Sequence, residues 1–307
     1  MSQQKSLEGK VVIVTGAGRG IGRDIALLMG AEGAKVIVND LGGGPDGEGQ
    51  ADLSVASGVV KEIQAAGGQA APNGDSVAEA ASAERIIKQA VDTYGRIDCV
   101  VNNAGILRDR IFHRMSTVDW QMVINVHLNG CFYMSRAAAP YFKEQQGGSF
   151  VHFTSASGLV GNFGQANYAA AKLGIVGLSK SIALDMARSN VRSNCIAPFA
   201  WSRLIGTIPT ESEAEKARVE KIKSMGTEKI APLVAYLAGD LSREVNAQVF
   251  GVRRNEIFLF SQPRPIRAVH RSEGWTVQSI HQHMTPSLRG AFFPLERSPD
   301  VFTWDPI

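Results

Sequence analysis

Short apolar runs rich in β-branched residues alternate with longer segments of helical period along residues 10–252. Such runs are typical of buried strands, and a 3.6-residue apolar period is typical of helices packed on a sheet. The alternation predicts repeated βαβ units, and hence an α/β fold with a doubly wound parallel sheet. The predicted strands are KVVIVTG, VIVND, GQAAPNGD, DCVVNNAG, SFVHFTSA and VRSNCIAP, and the predicted helices lie near 20–32, 51–66, 78–94, 117–145 and 164–188.

Three segments lie outside this alternation. The loop LGGGPDGEGQ, residues 41–50, is rich in glycine and acids, which predicts a mobile surface excursion. Segment 206–228 is charged and roughly helical, and it follows the sixth strand at the sheet edge where ligands bind. It is either a substrate lid or an ordinary solvated helix. We interpret residues 7–252 as one domain and residues 253–307 as a C-terminal extension packed on that domain.

The composition narrows the classes of partner. The 307 residues have a formal charge of +3 with no long basic run, so we expect no nucleic-acid groove. No apolar run reaches about 18 residues and no secretion signal precedes the first strand, so we expect no membrane partner and a cytoplasmic location. Cys99, Cys131 and Cys195 lack CxxC spacing and are expected to be buried, reduced thiols. The HQH stretch lacks further ligands nearby, so no metal site is predicted.

The first strand runs into TGAGRGIG, residues 15–22, and a helix follows. Gly16, Gly20 and Gly22, with Ile21 between the last two, permit a tight turn and close helix–strand packing. They also let backbone N–H groups approach a pyrophosphate at the helix N-terminus. A glycine-rich turn without a ligand is the alternative. The strand before the motif and the helix after it favour the dinucleotide site of a Rossmann-type fold.

Two residues bear on which dinucleotide binds. Asp40 ends the second strand, where its carboxylate can accept hydrogen bonds from the adenosine ribose and would repel a 2′-phosphate. Arg19, inside the glycine motif, could instead meet such a phosphate. We give the carboxylate more weight because it would contact the ribose hydroxyls directly. The predicted cofactor is therefore NAD, with NADP as the alternative.

Small and polar residues also follow two other strands. Asn103, Ala104 and Gly105 follow the fourth strand in NNAG, where they could brace the strand ends and let a cofactor lie across them. Asp75 and Ser76 follow the third strand in GDSV, and the Asp75 carboxylate could accept a hydrogen bond from an adenine amino group. Both stretches could equally be turns. We assign all five residues to the cofactor site.

The stretch QANYAAAKLG places Tyr168 four residues before Lys172, so both face one side of a helix. An ammonium stabilises a nearby phenolate, so Lys172 is expected to lower the pKa of Tyr168. Ser155 follows the fifth strand at the sheet edge of the glycine motif, where its hydroxyl can bind a substrate oxygen while Tyr168 moves the proton. No histidine is placed for a serine relay, which disfavours acyl-enzyme chemistry.

Six ordered motifs together resemble the short-chain dehydrogenase/reductase family over about residues 7–252: TGAGRGIG, the Asp75 turn, NNAG, INVHLNG, Ser155 and the Tyr168–Lys172 pair. The resemblance implies that Asn125 of INVHLNG helps hold a water in a proton relay beside Lys172. It also implies that Lys172 binds the nicotinamide ribose, with Tyr168 counted in the same cofactor site. Without the other motifs, Asn125 could simply be a polar helix residue that bonds its own backbone.

The end of the sixth strand departs from the family pattern. The family usually has Pro-Gly followed by a threonine that touches the cofactor carboxamide, whereas this chain reads APFAWSR. The resemblance places Pro198 and Ser202 in the cofactor site by position. Phe199 stands where the glycine is usual, which puts the contacts over residues 200–202 in doubt.

Within the family, NNAGILRDR, WQMVINVHLNG and IAPFAWSR look most like the (3R)-hydroxyacyl-CoA dehydrogenase modules of multifunctional enzymes. That resemblance implies NAD-dependent oxidation of the β-hydroxyl of a 3-hydroxyacyl-CoA, including bulky or sterol-derived chains, or a 17β-hydroxysteroid dehydrogenase. Reduction of a 3-oxoacyl thioester or ketone with NADPH is the alternative that Arg19 supports, and a non-enzymatic cofactor sensor is a third. The family also implies a homodimer or homotetramer that pairs through the helices near 117–145 and 164–188.

Overall fold

The computed structural model describes residues 5–200 and 225–306. The strands within them are β1 (Val11–Thr15), β2 (Lys35–Asn39), β3 (Gln69–Asn73), β4 (Cys99–Asn102), β5 (Gly148–Phe153), β6 (Val191–Phe199), β7 (Val249–Arg253) and β8 (Glu256–Leu259). They form one sheet in the order β3-β2-β1-β4-β5-β6-β7-β8. All neighbouring strands are parallel except β7 and β8. The predicted doubly wound parallel sheet is confirmed.

Helices cover both faces of the sheet. They are α1 (Gly20–Ala31), α2 (Leu53–Ala65), α3 (Ala80–Tyr94), α4 (Thr117–Ile124), α5 (Gly130–Gln145), α6 (Ala156–Leu159) and α7 (Ala166–Asp185), then a helix over Ala231–Ala238 and short turns at Val277–Ser279, Thr285–Leu288 and Ser298–Val301. Alternate residues of each strand enter two different cores. In β1, Val12 packs with α1 and α2, whereas Ile13 packs with α3 and α5. Burial on both faces explains why the strands are continuous apolar runs.

The predicted third strand contains a proline, which is a poor strand residue. Pro72 nevertheless lies within β3, opposite Val38 of β2. Because β3 is the outermost strand of the sheet, the N–H group that proline lacks has no strand beyond it to bond. The Pro72 carbonyl still accepts a hydrogen bond, from Gln89 Nε2 of α3 at 3.0 Å.

The structure contains elements that were not predicted, among them β7, β8 and the helix over Ala231–Ala238, and it divides one predicted helix. The single helix expected near 117–145 is divided by a π-helical turn over Asn125–Asn129, between α4 and α5. The antiparallel strand β8, which was not predicted, follows a turn in which Arg254 has φ 57°. Hairpin turns normally carry glycine, asparagine or aspartate at the positive-φ position, whereas that position is an arginine here, so RRNE gave little signal.

The C-terminal extension contacts the sheet and one loop beside it. Phe302 packs against Phe199 at the end of β6, with ring centroids 4.7 Å apart. Ser298 donates its backbone N–H to the Gly161 carbonyl at 3.0 Å, in the loop between α6 and α7. Trp304 Nε1 donates to Glu256 at 2.8 Å. Phe302 therefore brings the extension beside the carboxyl end of β6.

The remaining expectations concern the cysteines, membrane spans, metal sites and the segment 206–228. Cys99, Cys131 and Cys195 are buried and free, as predicted, and burial raises the pKa of each thiol to about 12. Over 5–200 and 225–306, no helix has both the length and the apolarity of a membrane span. The same residues contain no group of three or more His, Cys, Asp or Glu suited to a metal ion. Most of the segment 206–228 lies outside the described residues, and so does Ser202.

Candidate active site

A cavity of about 810 Å³ opens at the carboxyl ends of the parallel strands. It lies where the strand order reverses between β1 and β4, the position at which doubly wound sheets bind ligands. Nearly all described residues that the sequence assigned to the site line it: Gly16, Arg19, Gly20, Ile21, Gly22, Asp40, Asp75, Ser76, Asn103, Ala104, Gly105, Asn125, Tyr168, Lys172 and Pro198. Ser155 is not among the lining residues.

Backbone conformation at Gly16 and Gly20, and close packing at Gly22, require glycine in the motif. Gly16 and Gly20 have φ values of 62° and 53°, which L side chains rarely adopt. A Cβ atom at Gly22 would lie 2.1 Å from the Gly16 carbonyl oxygen. The helix α1 that follows has no side-chain cap and no acidic residue in its first turn. Its backbone N–H groups and positive dipole end are therefore suited to an anionic ligand, which fits a pyrophosphate.

Asp40 is held beside the glycine motif by backbone donors. Its two carboxylate oxygens accept from Gly18 N and Gly42 N, both at 2.8 Å. Arg19 extends the other way, and its Nη1 donates to the Gly43 carbonyl at 3.3 Å. The carboxylate thus faces the cavity in a fixed orientation, while the guanidinium contacts the loop at residues 41–50.

That loop, with six of its ten residues exposed, is also part of the cavity wall, a role that the sequence did not predict. Leu41, Gly43, Gly44, Pro45 and Gly47 all line the cavity. The Pro45 carbonyl accepts a hydrogen bond from Leu107 N at 3.0 Å, which ties the loop to the segment after β4. Composition suggested mobility because glycines carry no packing signal of their own. The contacts come from a segment about 60 residues further along the chain.

Asp75 and Ser76 lie at the cavity, but their side chains already have protein partners. The Asp75 carboxylate forms an ion pair with Arg85 at 2.5 Å and accepts from Asn73 Nδ2 at 3.3 Å. The Ser76 hydroxyl accepts from Ala78 N at 3.2 Å. The contact of Asp75 with an adenine amino group stays a prediction.

Tyr168 and Lys172 project from the first turns of α7 into the cavity. Lys172 Nζ lies 5.4 Å from the centroid of the Tyr168 ring and donates to the Phe153 carbonyl at 2.7 Å. Thr154 Oγ1 donates to the Lys172 carbonyl at 2.6 Å and so fixes the helix against the end of β5. The spacing of four residues therefore does bring the phenol and the ammonium together.

Burial decides the pKa values of this pair. Desolvation raises the pKa of Tyr168 to about 12, against a smaller lowering by Ser155, and lowers the pKa of Lys172 to about 8. The expectation that Lys172 brings the pKa of Tyr168 below its ordinary value is therefore wrong for this arrangement. Both side chains are desolvated, and the Lys172 ammonium donates its hydrogen bond to the Phe153 carbonyl and not to the phenol oxygen.

Ser155 and Asn125 flank the pair. Ser155 caps α6, where its Oγ accepts from Ser157 N at 3.1 Å, and its side chain also interacts with Tyr168. Asn125 begins the π-helical turn, a feature common at functional sites. Its Oδ1 accepts from Gln121 at 2.8 Å and from Asn129 at 2.9 Å. The roles of Ser155 and Asn125 in catalysis stay predictions.

Sequence reasoning missed His127, which also lines the cavity. The imidazole is buried, and its ring lies edge-on to Tyr168 with centroids 5.2 Å apart. Its Nε2 lies 2.8 Å from the Ile106 carbonyl, and burial lowers its pKa well below the ordinary value. A Cβ atom at Gly105 would lie 2.4 Å from this ring, so the last glycine of NNAG makes room for it. Only its place two residues after Asn125 could have indicated it.

Comparison with known proteins agrees with this geometry. The family model described as short chain dehydrogenase matches residues 10–202. A short-chain type dehydrogenase/reductase of Mycobacterium tuberculosis is 47% identical over 246 residues, which are 80% of this chain and 82% of that protein. The crystal structure of a short chain dehydrogenase from Mycobacterium avium superposes with a TM-score of 0.81 at 38% identity, covering 94% of this chain and 97% of the other.

A larger relative shows the same similarity over part of its length. The peroxisomal multifunctional enzyme type 2 of Mus musculus is 44% identical over 286 residues, which are 93% of this chain but only 36% of that enzyme. This chain therefore spans about a third of the mouse protein. From the family model, these relatives and the geometry of the cavity, the chain belongs to the short-chain dehydrogenase/reductase family, whose members are NAD(P)-dependent oxidoreductases acting on CH–OH groups.

Proposed function

We propose that this protein oxidises the β-hydroxyl of a 3-hydroxyacyl-CoA to the 3-oxoacyl-CoA with NAD. The observation that carries the proposal is one cavity that contains the glycine motif, Asp40, Tyr168 and Lys172 together. The acyl-CoA class rests on the resemblance to (3R)-hydroxyacyl-CoA dehydrogenase modules. The 44% identity to the mouse multifunctional enzyme supports it.

The residues present fit a dinucleotide, and Asp40 favours NAD. Its carboxylate is held in one orientation by two backbone N–H groups at the wall of the cavity, where a 2′-phosphate would be repelled. The residues proposed to hold the cofactor are Gly16, Arg19, Gly20, Ile21, Gly22, Asp40, Asp75, Ser76, Asn103, Ala104, Gly105, Tyr168, Lys172, Pro198 and Ser202.

The proposed chemistry divides the work among the side chains. Ser155 holds the substrate oxygen beside the phenol, and Tyr168 takes the hydroxyl proton in its phenolate form, which burial makes a minor form at neutral pH. When bound, the nicotinamide supplies the acceptor for the hydride that leaves the same carbon. Lys172 places its ammonium 5.4 Å from the centroid of the Tyr168 ring, where the positive charge offsets part of the negative charge of the phenolate. Asn125 is proposed to hold the water that connects Lys172 to solvent.

The test is NADH formation from a panel of 3-hydroxyacyl-CoA thioesters, from short straight chains to sterol side chains. Tyr168→Phe removes only the hydroxyl and is expected to lower kcat by at least about 100-fold, the size typical of losing a general acid–base group. Tyr236→Phe, at an exposed tyrosine away from the cavity, is the matched control and should keep wild-type rates. Unchanged turnover in Tyr168→Phe would refute the mechanism. Failure of every thioester would refute the substrate class.

NADPH-dependent reduction of a 3-oxoacyl thioester is the second candidate. Arg19 lines the cavity and is held to the Gly43 carbonyl by a long hydrogen bond of 3.3 Å, so its guanidinium could reorient toward a 2′-phosphate. Turnover measured with both cofactors in both directions decides between the two. A strong preference for NADPH would overturn the NAD assignment, and Arg19→Ala should then weaken NADPH selectively.

We also propose that the protein forms a homodimer or homotetramer. Family members typically oligomerise, and several large apolar side chains are exposed on the long helices of this chain. They are Val118 and Trp120 on α4, Phe132 on α5, and Leu173 and Leu184 on α7. Such exposed apolar surface is typical of subunit contacts. Light scattering that showed a monomer at assay concentration would contradict this assembly.

A further inference from the structure

The Arg108 side chain joins segments that are far apart in the sequence. Its Nε donates to the Asp46 carbonyl at 2.8 Å, and its Nη2 pairs with the Glu48 carboxylate at 3.0 Å. Its Nη1 lies 3.4 Å from the Asp119 carboxylate at the start of α4. The Arg108 side chain is only 15% exposed, whereas Glu48 is 70% exposed, so the guanidinium is largely covered but its ion pair with Glu48 faces solvent. One guanidinium therefore connects the loop at residues 41–50 to α4.

The loop contacted by Arg108 forms the wall of the cavity beside Asp40. Five of its ten residues are glycine, and Gly42, Gly47 and Gly49 have positive φ values. Glycine loses more conformational entropy on ordering than any other residue, so this loop is costly to hold in one shape. A Cβ atom at Gly47 would lie 3.0 Å from the Ile106 side chain, which shows how closely the loop approaches the segment that carries Arg108.

The backbone of Arg108 contacts the helix that carries Tyr168. The Arg108 carbonyl accepts from Asn167 Nδ2 at 3.0 Å, and the same amide group donates to the Asp119 carbonyl at 3.1 Å. Asn167 is fully buried and its Oδ1 accepts from Tyr168 N at 2.8 Å. The segment with Arg108 therefore lies between the loop on one side of the cavity and α7 on the other.

We propose that Arg108 is a positioning residue that holds the glycine-rich loop 41–50 in the wall of the dinucleotide site. Its hydrogen bonds and ion pairs to Asp46, Glu48 and Asp119 offset the entropy that the loop loses on ordering. Truncating the side chain leaves the backbone contact with Asn167 in place. The loss therefore falls on cofactor affinity and not on the placement of Tyr168. The inference rests on the cofactor use of the family and does not depend on the acyl-CoA proposal.

The test measures cofactor binding and loop exchange in the full-length protein. NADH and NADPH are titrated by their fluorescence into wild type, Arg108→Ala, Arg108→Lys and Arg114→Ala, the last an exposed arginine nearby that serves as the matched control. We expect Arg108→Ala to weaken the better-bound dinucleotide about tenfold, the size of losing a set of charge-assisted hydrogen bonds. Arg108→Lys should be intermediate, because a lysine keeps the charge but not the forked geometry, and Arg114→Ala should match wild type.

Hydrogen exchange separates positioning from general destabilisation. In Arg108→Ala, amides of residues 42–50 should exchange faster while those of β1 and β4 keep wild-type protection. With any substrate the enzyme turns over, KM for the cofactor should rise while kcat at saturating cofactor stays within about threefold. A dissociation constant within twofold of wild type, or unchanged exchange at residues 42–50, would overturn the proposal. If Arg108→Ala does not fold, wild-type affinity in Arg108→Lys overturns it equally.

Discussion

Replacing Lys172 by methionine should change how the stability of this protein depends on pH. Lys172 is 4% exposed, and desolvation lowers its pKa from 10.5 to about 8. At about 1.4 kcal/mol for each pH unit, keeping the ammonium charged in the interior costs about 3 kcal/mol at neutral pH. The site thus carries a destabilising group that the proposed chemistry requires.

The sign follows from the proton count of the two states. Between pH 8 and pH 10.5 the unfolded chain keeps the lysine proton that the folded protein has already released, so stability rises with pH in that window. Between pH 7 and pH 9.5 this group alone should add about 2 kcal/mol to the free energy of unfolding of wild type. Lys172→Met has no such group and gains nothing from it. The buried thiols act in the opposite direction, because their pKa values are raised, but they are common to both proteins.

Urea unfolding of both proteins at pH 7 and pH 9.5, without cofactor, measures the effect. A comparison at one pH is less informative, because methionine also leaves the Phe153 carbonyl without its donor, at a cost of about 1–3 kcal/mol. We expect the free energy of unfolding of wild type, relative to that of Lys172→Met, to be about 2 kcal/mol higher at pH 9.5 than at pH 7. Lys61→Met, at an exposed site on α2, controls for the loss of one positive charge. Parallel pH dependence in wild type and Lys172→Met would refute the reasoning.

Two further substitutions test the packing of the site and of the C-terminal extension. Gly22→Ala would place a Cβ 2.1 Å from a backbone oxygen and should weaken NADH binding at least about tenfold. The control Gly58→Ala, with open space around it on α2, should stabilise the protein by about 0.5–1 kcal/mol. Wild-type NADH binding by Gly22→Ala would contradict the tight packing at Gly22. Phe302→Ala should lower the free energy of unfolding by about 2–3 kcal/mol through loss of ring contacts such as that with Phe199. The control Phe293→Ala, at a side chain 85% exposed, should change it by less than about 0.5 kcal/mol. Equal effects of the two variants in thermal and urea unfolding would show that the extension does not depend on the ring contacts of Phe302.

Local chemistry was readable from the sequence because it depends on near neighbours. The apolar runs predicted β1, β2, β4, β5 and β6, since nearly all residues of these strands are buried. The glycine motif and the Tyr168–Lys172 spacing were readable for the same reason. Backbone freedom and the helical repeat are properties of a few adjacent residues. These patterns predicted where the parallel strands bring the candidate residues together.

What only the tertiary structure decided depends on contacts between distant segments. Burial, which no local pattern reports, sets the pKa values of Tyr168 and Lys172 and reverses the shift expected for the phenol. Arg108 contacts the glycine-rich loop, which lines the cavity, and composition gave no sign of that role. Neither outcome is encoded at short range, because desolvation and ion pairing are set by whichever groups the fold places around a side chain. The sequence by itself determined the fold and the positions of the candidate site residues. Tertiary packing determined the pKa values of those residues and the walls of the cavity.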